Sequence, residues 1–282
     1  VTAYPLIDLG GGGPVLHLAP ANGFPPQTYL PMLRPLLAQY RAVCLPPRAL
    51  WGTEPVPETL HDWDSLADDI LAGLQQHNLQ AVIAVGHSFG AVASILACLR
   101  EPARFQALVL LDPTILPEDA LQAFEGLRAS GNVGEFPLVR GALRRTRHFP
   151  DQAAAAAYWR NRVLFQHWPD ESFQLYIQHG TRPVAAGGIE LCWPPEWEAY
   201  YFSTLYTGIW QRLPELARLN LPILALRGGD SDTFYPEAAA RFQALVPAAR
   251  LIEIPGHGHL FPHTAPAETA RVIGEWLTPA VS

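Results

Sequence analysis

Ser88 stands at the centre of Gly86-His87-Ser88-Phe89-Gly90, directly after the apolar run 81–85 and directly before the apolar run 91–97. A serine hydroxyl is a weak nucleophile near neutral pH. It becomes effective when an imidazole takes its proton, a carboxylate orients that imidazole, and N–H donors meet the oxyanion that forms. The five-residue pattern alone arises by chance in about one chain in ten of this length, so its flanks decide its weight. A β-rich pentad before it and a helix apolar on all sides after it describe a sharp strand-to-helix turn. In such a turn the serine takes a left-handed backbone, and the glycines let strand and helix close on each other.

Partners for the serine can be sought past the ends of other apolar runs, because ligand sites of open α/β sheets lie beyond the carboxyl ends of the strands. One such loop, Pro255-Gly256-His257-Gly258-His259-Leu260-Phe261-Pro262-His263, offers three candidate bases. A metal cluster is the weaker explanation for it, since no carboxylate or cysteine stands at ligand spacing in the same loop. A second, Arg227-Gly228-Gly229-Asp230-Ser231-Asp232, follows the run 223–226 and offers two carboxylates. Asp232 is preferred as the orienting acid, with Asp230 and Asp112, at the end of the run 106–111, as alternatives. The oxyanion donors are expected at the N–H of Phe89, directly after the nucleophile, and at the N–H of Phe24 in the loop Asn22-Gly23-Phe24.

The elements that must carry these residues alternate. Strands are expected at 2–9, 15–19, 42–45, 81–85, 106–111, 223–226 and 250–254. Helices are expected at about 29–39, 58–76, 91–97, 236–245 and 266–277, the second of these from its three-and-four apolar spacing. The Gly10 to Gly13 run reads as a loop that no strand interior would tolerate. This is the α/β class, with a mostly parallel central sheet and helices on both faces. From 113 to 214 the strand rhythm lapses into helix-like stretches at 118–129 and 153–165 and an aromatic-dense segment at 193–210. Residues 1–112 and 215–282 therefore read as the core domain, and 113–214 as a mainly helical insertion.

Composition narrows the function. The 282 residues are 49% hydrophobic and 16% charged, with a net charge of -7, which disfavours nucleic acid as a partner. No apolar run reaches the roughly 18 residues of a membrane span, and no leader pattern opens the chain, so a cytoplasmic protein is expected. Cys44, Cys98 and Cys192 are far apart in apolar surroundings and read as free buried thiols.

Taken together, the Ser88 elbow, the Asn22-Gly23-Phe24-Pro25 loop, the 227–232 segment and the 255–259 loop occur in the order Ser, Asp, His. The chain resembles the α/β-hydrolase fold superfamily over nearly its whole length. That resemblance implies His259 as the base, with His257 next, and a Ser88-His259-Asp232 triad. It implies that 113–214 is a cap over the site, with Trp193, Trp197 and Tyr201, beside Asn22 and His87, as possible pocket residues. The implied activity is serine hydrolysis of a carboxylic ester or related acyl substrate through an acyl-enzyme, without cofactor or metal, on a small molecule with an apolar acyl or alkyl group. C–C bond, lactone or thioester cleavage and cofactor-free peroxidase chemistry are alternatives on the same triad. A non-catalytic ligand-binding member is the alternative of another class. The basic cluster Arg140, Arg144, Arg145, Arg147 and His148 reads as a solvated face rather than a carboxylate trap.

Overall fold

A computed structural model describes residues 3–52 and 62–280. Seven strands form one sheet in the order β1-β3-β2-β4-β5-β9-β10. They are β1 (Ile7–Gly11), β2 (Val15–Ala19), β3 (Arg41–Cys44), β4 (Val82–His87), β5 (Phe105–Leu111), β9 (Ile223–Gly228) and β10 (Arg250–Ile254). Only β1 runs antiparallel, on β3; every other pairing is parallel. Parallel strands joined by helical crossovers are covered on both faces, which is why β4 and β9 are buried at every residue. Along β4, Val82 and Ala84 pack to one core, and Ile83 and Val85 to the other.

The first core is completed by α2 (Asp64–Gln76), α3 (Phe89–Arg100) and α10 (Pro236–Leu245), and the second by α12 (Pro266–Ala280). Short turns take the place of the expected 29–39 helix: a 3-10 turn, the single α-turn α1 (Leu30–Leu33) and another 3-10 turn. Pro26, Pro31 and Pro35 each withhold a backbone N–H there. The expected start of the next helix at 58–61 lies outside the described residues, and α2 begins at Asp64. The glycine run does enter a strand. β1 extends through Gly10 and Gly11, at φ of 106° and 83°, across a register shift that an edge strand accommodates.

Between β5 and β9 the chain forms α4 (Glu118–Ala129), α5 (Pro137–Leu143), α6 (Gln152–Arg160), α7 (Asp170–Gly180), α8 (Pro195–Ser203) and α9 (Ile209–Leu216). It also forms a small antiparallel sheet of β6 (His148–Phe149), β7 (Thr181–Pro183) and β8 (Ile189–Leu191), ordered β6-β8-β7. These strands of two or three residues are too short to show a period-two pattern, so sequence reading had no hold on them. No described helix is long and apolar enough to cross a membrane. Cys44 and Cys98 are buried free thiols, whereas Cys192 is only half-buried.

Register places the site. Ala19 pairs with Gly86, His87 with Leu111, Leu111 with Leu226, and Ile254 with Gly228. Five strands thus end at one sheet edge, where the loops after them converge. The final short helix, α11 (Phe261–Thr264), closes the loop after β10.

Candidate active site

β4 delivers Ser88 into a backbone conformation of φ 59° and ψ −122°. A non-glycine residue in such a region costs about 1–3 kcal/mol and persists only where its surroundings hold it. The holding is visible at both flanking glycines. A Cβ on Gly90 would lie 2.3 Å from the Ala19 carbonyl oxygen, and one on Gly86 would lie 2.5 Å from the Ala91 Cα. Strand β2 and helix α3 therefore press against the turn from both sides, and the hydroxyl is pushed clear of the packed layers.

His259 reaches it from the loop after β10. Its Nε2 lies 2.9 Å from Ser88 Oγ, and its Nδ1 lies 2.7 Å from Oδ2 of Asp112. Asp112 is fully buried and is the first residue beyond β5, with φ 41°. Its carboxylate also accepts the Gly228 N–H at 2.8 Å and the Ser231 hydroxyl. With the carboxylate surrounded by donors, His259 carries its proton on Nδ1. The Nε2 lone pair is left to accept from Ser88.

The carboxylate that meets His259 is thus Asp112, the alternative just past β5, and not Asp232. Asp232 is exposed and, among the described residues, accepts only a long 3.4 Å contact from the Thr233 hydroxyl, and Asp230 is exposed as well. The cause is strand order: β5 and β9 are neighbours, so the turns after them meet. Asp112 fills the meeting point, and the β9 turn supplies Gly228 and Ser231 to hold it.

The remaining histidines take other parts. His257 Nδ1 pairs with the Thr264 hydroxyl at 2.9 Å. His263 is buried, donates from Nε2 to the Thr28 hydroxyl at 3.1 Å and stacks on Trp168; burial, then the nearby His259, pushes its pKa down to about 3. His87 lies in the core rather than the pocket. The Ala21 N–H donates to Tyr29 Oη at 2.9 Å, Tyr29 O–H to His87 Nδ1 at 2.6 Å, and His87 Nε2 to the His259 carbonyl at 2.9 Å. Burial first, and then the neighbouring His259 and His263, keep the His87 imidazole well below its ordinary pKa and hence neutral.

The Phe89 N–H is the first of helix α3 and has no partner within that helix, as an oxyanion donor requires. The Phe24 N–H is instead turned onto the Ala21 carbonyl at 3.2 Å, because Gly23, at φ 86°, closes a tight turn there. Asn22 is buried and donates to the backbone oxygen of Glu198 at 2.9 Å. Trp193, Trp197 and Tyr201 are buried together on the α3 side. Trp193 and Tyr201 lie 6.5 and 5.2 Å from the Phe89 ring, and Trp197 lies 5.5 Å from Tyr201.

In the basic cluster, Arg145 is bound by Glu198 and by Tyr176 Oη, Arg147 by Glu190 and Glu196, and Arg140 by Glu135. Three residues at the site escaped the sequence reading: Tyr29, Ser231 and Thr114. Thr114 Oγ1 stands 3.1 Å from Ser88 Oγ. A tyrosine, a serine and a threonine in loops carry no motif of their own.

Known proteins align with this arrangement. The model of the alpha/beta hydrolase family matches residues 15–272. The 2-(acetamidomethylene)succinate hydrolase of Mesorhizobium japonicum is 26% identical over 227 residues, 80% of this chain and 74% of that protein. Ethanol acetyltransferase 1 of Hanseniaspora uvarum is 23% identical over 77% of this chain and 65% of its own length. Among solved structures, that of E-2-(acetamidomethylene)succinate hydrolase superposes with a TM-score of 0.76 at 22% identity, covering 97% of this chain and 94% of the other. The strand order, the serine turn after β4 and the family match over most of the sequence agree, and the chain belongs to the alpha/beta hydrolase family.

Proposed function

We propose that the protein is a serine hydrolase acting on a carboxylic ester or a related acyl substrate. The observation that carries this reading is the continuous hydrogen-bond line from Ser88 Oγ through His259 to Asp112. Ser88 attacks the acyl carbon while His259 Nε2 takes its proton. Asp112 holds the imidazole in the tautomer that can accept, and stabilises the imidazolium that results. The Phe89 N–H faces the developing oxyanion. His259 then protonates the leaving group, and water, deprotonated by the same imidazole, releases the acid.

Residues 113–214 act in this reading as a cap over the site. The aromatic packing around Phe89 favours an apolar acyl or alkyl group. Arginines already matched by acids of the same segment argue against a dicarboxylate of the kind named for the Mesorhizobium hydrolase.

A fluorophosphonate probe tests the nucleophile. Wild type is expected to label and to hydrolyse p-nitrophenyl esters, and Ser88→Ala to do neither. Wild type that does neither would return the chain to the non-catalytic reading. A panel of p-nitrophenyl acyl chains beside a hemisuccinate ester tests the substrate class, with the apolar chains expected to give the higher kcat/KM.

A further inference from the structure

Ser88 Oγ has one proton and two close partners, His259 Nε2 at 2.9 Å and Thr114 Oγ1 at 3.1 Å. The donors around Asp112 fix the direction of the first bond, since Nε2 is left as an acceptor and takes the serine proton. The hydroxyl of Thr114 must then be the donor to Ser88. A second contact fixes the placement, because the Thr114 N–H bonds the Ser88 carbonyl at 3.3 Å. Backbone and side chain of one residue thus bracket the serine. Strand order separates Thr114 from the oxyanion loop: residues 20–24 follow β2 on one side of β4, and Thr114 follows β5 on the other. Its hydroxyl therefore serves the nucleophilic oxygen and not the carbonyl oxygen of a substrate.

We propose that Thr114 is a further catalytic residue, donating a hydrogen bond to Ser88 Oγ and stabilising the charge that oxygen carries in both half-reactions; this rests on the serine-hydrolase reading above. In acylation the Ser88 O–H proton passes to His259, the Oγ–acyl carbon bond forms, and the Thr114 hydroxyl holds Oγ while it bears excess charge; the bond from the acyl carbon to the leaving group then breaks, and that group departs with the proton from His259. In deacylation water gives a proton to His259 and adds to the acyl carbon, the Oγ–acyl carbon bond breaks, and its electron pair returns to Oγ. The same hydroxyl meets that charge until His259 passes the proton taken from water to Oγ. The two transfers balance, and Thr114 keeps its own proton throughout.

Thr114→Val removes the donor at nearly constant shape, and Thr114→Ser restores it without the methyl group. With p-nitrophenyl acetate, Thr114→Val is expected to lower kcat about 10- to 100-fold with KM within about twofold. The second-order rate of fluorophosphonate labelling should fall in parallel, and Thr114→Ser should recover most of both. Wild type that labels while Thr114→Val labels and turns over at the same rate overturns this inference and leaves the nucleophile reading intact. Equal losses in Thr114→Val and Thr114→Ser overturn it as well, since packing rather than a hydroxyl would then be responsible. A wild type that neither labels nor hydrolyses overturns the nucleophile reading and this inference with it.

Discussion

At the scale of single residues, the Asp112 carboxylate is the group whose removal separates orientation from packing. Asp112→Asn keeps the shape but offers an amide where His259 needs an acceptor, which favours the wrong tautomer. A loss of about 10⁴-fold in kcat is expected, against near wild-type turnover for Asp232→Asn. Steady-state kinetics of the two variants side by side checks this. Ser88 was legible because its glycine-flanked turn leaves a strong local signature, and the family resemblance singled out His259 among the three histidines of its loop. The acid was less so. Asp112 and Asp232 both follow apolar runs, and only the register Leu111 to Leu226 shows that the two turns converge on one point that one carboxylate can occupy. The φ of 41° at Asp112 leaves no trace in the sequence, since aspartate tolerates that region better than most residues.

At the scale of elements, the site depends on close approach between β2, β4 and α3. Gly90→Ala would place a methyl group 2.3 Å from the Ala19 carbonyl, a backbone atom that cannot swing away. A loss of stability of about 1–3 kcal/mol in urea unfolding is expected, with activity falling further than stability because the oxyanion side is displaced. The segment between β5 and β9 grips the loop after β2 through a largely buried ion pair. Arg145 and Glu198 lie against Gly23, and the Glu198 backbone holds Asn22. Glu198→Gln leaves the guanidinium without a counter-charge and should cost about 3–5 kcal/mol, whereas Arg145→Met with Glu198→Leu should cost much less. Chemical denaturation of the two variants beside wild type reads the difference. The contact was not legible beforehand, because Arg145 and Glu198 are 53 positions apart and each sits among similar charges.

At the scale of the whole molecule, the folded chain buries histidines that stay neutral well below their ordinary pKa. Burial lowers His17 to about 4 and His263 to about 3, whereas in the unfolded chain both titrate near 6.5. Between those values the unfolded state binds more protons, so stability is complete above about pH 7 and falls as the pH drops. At pH 5 the two together should cost about 4 kcal/mol relative to pH 7.5, and His87 adds to the loss in the same direction. Urea unfolding at pH 7.5, 6 and 5 measures this, and a flat profile would refute it. The position of Asp112 has a consequence for the order of assembly. Ser88 and Asp112 follow the two strands of one β4-α3-β5 unit of low sequence separation, whereas His259 arrives from 147 residues beyond Asp112. Two of the three proposed triad residues can be placed while the chain is still closing short loops, and His259 docks only after the long excursion through α4 to α9. During refolding, amide protection in β4 and β5 should precede the return of fluorophosphonate labelling. The birth of activity then marks the arrival of the carboxyl-terminal strands, not the folding of the nucleophile.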